Sequence, residues 1–296
     1  MRVRRICLLT ALTFAAVCCT PAGGPAPVTP PLPAGWSGPG PVPPPRRMRL
    51  FFGGDVMQHM PQVNAVRRGD GFDYEPVFRA LAPRIRAADL AVVNLETTLT
   101  RRSRYTGYPL FRSPAALADA LPLPLYLYNM PSHVKVFLEP ATVKTLARHE
   151  NIVGLKDSSA NMTYFQTLLY QLGDTPGFSL YVGPEELTGE CVLLGADGGV
   201  NGGANIFPEL YVAMYDAACA HDIARVREIQ HRIMQISTSV YTVGKYGSSY
   251  LKGVKCALSL LGVCDDYLSY PYRKFRAEER ARIRQALEAL GAKCNG

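Results

Sequence analysis

Asn151-Ile152-Val153-Gly154-Leu155-Lys156-Asp157-Ser158-Ser159 is the stretch from which the fold of this 296-residue chain is read. Ile152 to Leu155 is a short apolar run that presents a lysine and then breaks into small polar residues. Runs of this kind, bounded by turn formers, read as strands covered on both faces, as in parallel α/β sheets. A lysine at the end of such a strand is drawn out of water, which disfavours the charged form of an amine. A neutral amine attacks a ketone to give a Schiff base. The alternative is a lysine that lays its stem along the strand edge and keeps its head in water.

A second apolar strand lies upstream, in Leu123-Pro124-Leu125-Tyr126-Leu127-Tyr128-Asn129-Met130-Pro131-Ser132, with Tyr128 28 residues before Lys156. If the two strands are neighbours in a parallel barrel, Tyr128 and Lys156 meet at its C-terminal face, where barrel enzymes build their sites. A phenol beside a Schiff-base lysine is suited to shuttle protons.

Three motifs stand in order: Tyr128-Asn129-x-Pro131, then Gly154-Leu155-Lys156-Asp157-Ser158-Ser159, then Gly195-Ala196-Asp197-Gly198-Gly199-Val200 with Ala204-Asn205. From about residue 122 to the end the chain resembles, in these motifs and their spacing, the dihydrodipicolinate synthase and N-acetylneuraminate lyase family. That resemblance implies a class I, pyruvate-handling aldolase on a TIM barrel, with Lys156 as the imine-forming residue and Tyr128 as the proton relay. It also implies that Gly183 and Val200 line the substrate pocket, and that neither a metal nor an organic cofactor is needed. His133 stands where the synthases place a substrate-binding arginine, a departure that leans toward a sugar-acid or keto-acid lyase. The resemblance begins at the family's fifth strand. The Gly-x-Thr-Gly-Glu loop of strand two, which holds the pyruvate carboxylate, has no counterpart here, nor has the second tyrosine of the relay.

The pattern downstream of residue 122 is a βα repeat. Strands are expected at about 125–130, 152–156, 178–182 and 194–200, and helices at about 140–149, 160–172, 185–193 and 205–220. Three further helices follow at about 223–239, 247–262 and 277–291, the last with Ile283, Leu287 and Leu290 on one face. The expected fold class is therefore α/β: the second half of a TIM barrel, four βα units, with a helical tail. A half barrel has an open sheet edge and an unfinished core, which favours pairing with another copy of the chain or aggregation.

The front of the chain has a different texture. Residues 1–20 read as an export signal: Arg2, Arg4 and Arg5, an apolar run from Ile6 to Val17, then Cys18-Cys19 where cleavage falls. A lipoprotein reading would lipidate Cys18 or Cys19. Residues 21–46 hold 11 of the 24 prolines and the only tryptophan, Trp36, which describes an extended tether with no core of its own. Residues 48–121 then read as a truncated α/β segment. A strand from Arg49 to Phe52 runs into Gly53-Gly54-Asp55, a helix spans Pro76 to Ala88, and a buried strand runs from Leu90 to Leu95. Acidic residues at the ends of adjacent parallel strands suit a metal site, although a turn aspartate and a capping glutamate give the same pattern.

Gly54-Asp55-Val56-Met57-Gln58-His59, Ala88-Asp89-Leu90-Ala91-Val92-Val93-Asn94-Leu95-Glu96 and Tyr108-Pro109-Leu110-Phe111 resemble the start of the CapA family. That group is metallophosphatase-like and linked to poly-γ-glutamate capsule synthesis. Its Asn-Asn-His motif does not follow Ala118 to Leu121, so Asp55, His59 and Glu96 do not complete a metal set.

Charge excludes a nucleic-acid surface. The net +8 comes from six arginines and no acid in residues 1–49 and +2 in residues 50–121, while residues 122–296 hold 17 basic and 17 acidic side chains. The eight cysteines form no framework. Cys191, Cys219, Cys256, Cys264 and Cys294 read as small buried apolar residues of a reduced, cytoplasmic protein, against the export signal in front. Gly198 to Gly203 lacks the Lys-Ser/Thr of a P-loop. The sequence thus supports a keto-acid lyase or synthase half, an exported capsule-synthesis protein, or an inactive composite of two incomplete domains.

Overall fold

The computed structural model describes residues 49–95, 97–101, 104–107, 112–120 and 123–295. The expected leader and tether, with Cys7, Cys18, Cys19 and Trp36, lie outside the described residues, as do Glu96 and Tyr108 to Phe111. The chain divides into two compact units that part between Leu123 and Pro124.

In the front unit, β1 (Leu50–Val56) and β2 (Leu90–Leu95) pair in parallel, with Asp55 opposite Asn94. Their register slips between Phe52 and Asp55, where two glycines leave the strand without side chains to hold it flat. The helix expected from Pro76 to Ala88 is instead two short ones, Glu75–Phe78 and Ala82–Arg86. Pro83 accounts for the break, since it has no N–H to bond back to residue 79. Val66, Tyr74 and Leu117 are buried together, packed by Phe72, Phe78, Leu95 and Leu99.

The second unit is α/β. Its strands β3 (Leu125–Asn129), β4 (Ile152–Asp157), β5 (Ser179–Val182) and β6 (Gly198–Gly199) form one parallel sheet in the order β6-β5-β4-β3. Side chains alternate between its faces. Leu127, Leu155, Leu180 and Val182 pack with Val143 of α1 (Pro140–Leu146) and with Phe165 and Leu168 of α2 (Met162–Leu172). Tyr126, Tyr128, Gly154, Lys156 and Tyr181 take the opposite face. Gly154 is required there by space. A Cβ at that position would come 2.4 Å from the Tyr126 ring and 2.5 Å from the Ser179 carbonyl oxygen. Without it the Tyr126 ring reaches over toward Tyr181, with centroids 5.8 Å apart.

The strand expected over 194–200 shrinks to Gly198–Gly199. Gly195 and Gly198 have φ of +105° and +153°, conformations glycine accepts without the steric cost of a Cβ, so the chain turns before it pairs.

Helices α3 (Thr188–Leu193), α4 (Pro208–Cys219), α5 (Ile223–Ser239), α6 (Ser249–Leu260) and α7 (Ala277–Ala289) complete the unit. On α5 the buried Val226, Ile229, Ile233 and Ile236 recur at helical spacing, and Asp222 caps its start by accepting a hydrogen bond from the Arg225 N–H at 3.0 Å. The five cysteines described are all free. Cys191 and Cys256 are buried, but Cys219 and Cys264 are exposed, contrary to the reading of all five as core residues. Cys219 is the last residue of α4 and Cys264 lies past α6, beyond the packed faces. Among the described residues no helix is long and apolar enough to cross a membrane.

Candidate active site

The pleat of β4 sends consecutive residues in opposite directions, and the chemistry of the site follows from that. Asp157 points to the helical side and is 2% exposed. Its Oδ1 accepts hydrogen bonds from Asn129 Nδ2 at 2.8 Å and the Ser159 N–H at 3.1 Å, and its Oδ2 accepts one from the Ser159 hydroxyl at 2.9 Å. Burial pushes its carboxyl up from the ordinary range, partly offset by these donors. Asn129 in turn accepts from the Leu138 N–H at 3.1 Å, so the ends of β3 and β4 are bolted together on the side away from Lys156.

Lys156 takes the opposite, half-buried side. In the sheet register it lies between Tyr128 of β3 and Tyr181 of β5. Its Nζ stands 4.3 Å from the centre of the Tyr128 ring, a cation–π distance. Tyr128 is 48% exposed, and its phenol oxygen accepts a long hydrogen bond from the Ser158 hydroxyl at 3.5 Å. Tyr181 is more enclosed, and burial first, then neighbouring Tyr126 and Asp197, pushes its phenol up to about 12. The sheet therefore presents one amine flanked by two phenols.

The strand tips are tied in series. The Ser158 N–H donates to the Asn129 carbonyl at 2.8 Å, the Gly183 N–H to the Asp157 carbonyl at 2.7 Å, and the Val200 N–H to the Val182 carbonyl at 2.8 Å. Asn201 Nδ2 adds a bond to the Gly183 carbonyl at 3.1 Å. A Cβ at Gly183 would lie 2.0 Å from the Ser158 hydroxyl oxygen, so the bare glycine lets that hydroxyl pack against the tip of β5. Gly183 and Val200 are thus carried on backbone fixed relative to β4. His133 is exposed on the one-turn helix Pro131–Val134 that follows β3, with its Nδ1 3.1 Å from the Ser132 hydroxyl.

Sequence reading passed over two features. Tyr181 was open to discovery, since the alternation Ser179, Tyr181 against Leu180, Val182 places it on the lysine's face. Glu185 was not: it is buried beside Tyr211 and Tyr241, which lie 26 and 56 residues away along the chain.

In the front unit Asn94 Nδ2 donates to Asp55 Oδ1 at 2.8 Å, joining the ends of β1 and β2. His59 stands at the start of the helix Met60–Ala65, with its N–H bonded to Gln62 Oε1 at 2.6 Å. Among the described residues no group of three His, Cys, Asp or Glu side chains is placed to hold a metal ion, and Glu96 lies outside those residues.

Comparison with known proteins matches each unit separately. Residues 114–290 match the family model of the dihydrodipicolinate synthetase family, and residues 49–123 match that of the bacterial capsule synthesis protein PGA_cap. The curated 4-hydroxy-tetrahydrodipicolinate synthase of Methanopyrus kandleri is 31% identical over 183 residues, which are 62% of this chain and 59% of that protein. The chain spans about three-fifths of the length of such relatives. Among solved structures, dihydrodipicolinate synthase from Bacteroides thetaiotaomicron is similar at 44% identity and a TM-score of 0.62, over 80% of this chain and 74% of that one. A prophage protein of E. coli K12 from the dihydrodipicolinic acid synthase family, solved in complex with pyruvate, shares the fold at 22% identity and a TM-score of 0.60, over 82% and 75% of the two chains.

Proposed function

Because the chain belongs to the dihydrodipicolinate synthetase family, we propose that its second unit is half of a TIM-barrel aldolase that forms a Schiff base between Lys156 and a 2-keto acid such as pyruvate. One observation carries the reading: in adjacent strands Tyr128 and Lys156 stand opposite each other, with the amine 4.3 Å from the ring centre.

The proposed sequence balances with these two groups. The unprotonated Nζ attacks the keto carbon to give a carbinolamine. The Tyr128 phenol then gives its proton to the departing hydroxyl, so that water leaves and a protonated imine forms. The resulting phenolate takes a proton from the carbon next to the imine, giving an enamine and restoring the phenol. The imine serves as the electron sink that lets a carbon–carbon bond form or break beside it. Gly183 and Val200 would line the pocket on the β5 and β6 side of Lys156, and His133, after β3 on its other side, would be the contact that distinguishes a sugar-acid or keto-acid lyase from the synthases. This chemistry calls on no metal or organic cofactor, and it routes no step through the front unit.

The domain reading that accompanies it is a leader, a Pro-rich tether, a capsule-synthesis-like segment over 48–121 and the aldolase half from 122. Among the described residues β3 and β6 are the edge strands of the sheet, and a second copy of the chain is the partner such edges favour.

The test is exchange of the pyruvate methyl hydrogens into heavy water, followed by proton NMR. The wild-type chain should catalyse exchange through the enamine, and Lys156→Arg should reduce it to the rate in buffer. Tyr128→Phe should slow it by about a hundredfold or more, as for loss of a positioned acid–base group. Wild-type exchange no faster than buffer, or exchange untouched by either substitution, would sink the reading.

A further inference from the structure

The hydrogen bonds of Glu185 go to groups other than Lys156 and Tyr128, and they make it one of the most fully satisfied carboxyls among the described residues. It opens the turn Glu185–Leu187 just after Gly183 and is 4% exposed. Its Oε2 accepts the Gly203 N–H at 2.7 Å, and its Oε1 accepts the phenols of Tyr211 at 2.6 Å and Tyr241 at 2.7 Å. A carboxyl is kept in such a place only where donors converge on it.

The three donors come from separate parts of the unit. Gly203 belongs to the segment that carries Val200, Tyr211 to α4, and Tyr241 to the chain after α5. The Tyr241 ring meets Tyr250 edge-on, with centroids 4.7 Å apart. The Tyr250 hydroxyl in turn sits so close to Gly202 that a Cβ there would lie 1.5 Å from it. On its other limb the same segment is tied by the Val200 N–H to Val182 and by Asn201 to the Gly183 carbonyl. Burial, followed by the nearby carboxylate, pushes the Tyr211 and Tyr241 phenols up, so both remain donors.

We propose that Glu185 is a positioning residue for the keto-acid pocket: it holds the Gly199–Gly203 segment at the height from which Val200 meets the substrate bound on Lys156. The inference rests on the Schiff-base reading above. Glu185 takes no part in bond making, so its removal should weaken capture of the acid without abolishing the imine.

The experiment titrates pyruvate against the full chain under borohydride and reads the fraction of Lys156 labelled. Glu185→Gln turns one acceptor into a donor facing donors and should raise the half-saturating pyruvate concentration about tenfold, with complete labelling still reached at saturation. Tyr241→Phe removes one of three donors and should shift it the same way by about threefold. If either folded variant labels with the wild-type half-saturation while only its thermal midpoint falls, Glu185 is merely structural and the inference is overturned. If the wild-type chain itself takes no label, it is the Schiff-base reading that fails, and the positioning role goes with it. Should Glu185→Gln not fold, Tyr241→Phe decides alone.

Discussion

Asp157 and Glu185 are both buried carboxyls that accept three hydrogen bonds, and in both burial is the largest influence, pushing the carboxyl up despite those donors. The sign of the pH effect follows. With the folded value above the unfolded one, the folded chain holds protons that the unfolded chain has released, so stability falls as pH rises. The contribution is fully present below the ordinary carboxylate range and is lost as pH climbs from there through the raised folded value. Urea midpoints of wild type and Glu185→Gln, taken from acid to neutral pH, should therefore shift steadily in favour of the variant as pH rises. A difference that is flat, or that moves toward the wild type, would contradict the assignment. At this scale the site was partly legible. The juxtaposition of Lys156 and Tyr128 was readable locally, because a strand that ends in a polar side chain and a turn is visible in a few residues. Glu185 is not, because the groups that give it meaning arrive from α4 and from beyond α5.

Elements were read best where hydrophobic period and turn residues agree. The strands expected at about 125–130, 152–156 and 178–182 became β3, β4 and β5, and the helices expected at about 223–239 and 277–291 became α5 and α7, each with one buried face. Reading failed where backbone chemistry overrode side-chain pattern: Pro83 split a helix, and the positive φ of Gly195 and Gly198 turned most of an expected strand into a loop. Gly154 shows the same logic in reverse. Its lack of a side chain lets β4 pass under the Tyr126 ring and close against the Ser179 carbonyl, a backbone atom that cannot rotate away. Gly154→Ala should cost about 1–3 kcal/mol, as for an overpacked core, read as a lowered denaturant midpoint. A midpoint equal to wild type would mean that β4 and β5 separate freely there, and the fixed spacing of Lys156 and Tyr181 would have to be given up.

At the scale of the molecule the chain joins two texts. Its net charge sits in residues 1–121, while residues 122–296 balance to zero, and the family's match over residues 114–290 covers nearly all of the second unit. Among the described residues the sheet of that unit has four strands, and β3 and β6 at its two ends each hydrogen-bond to a single strand neighbour. The composition change near residue 122 was plain in the sequence, and the units part between Leu123 and Pro124. What covers the open edge was not legible, since no pattern within one chain specifies a partner. The imine proposed between Lys156 and a keto acid can be tested apart from the assembly. Borohydride reduction in the presence of pyruvate, followed by peptide mapping in a mass spectrometer, measures it directly. A reduced pyruvate adduct is expected on the peptide bearing Lys156, absent without pyruvate and absent in Lys156→Ala. A folded wild-type chain that stays unmodified, or a label carried equally by the variant, would contradict it.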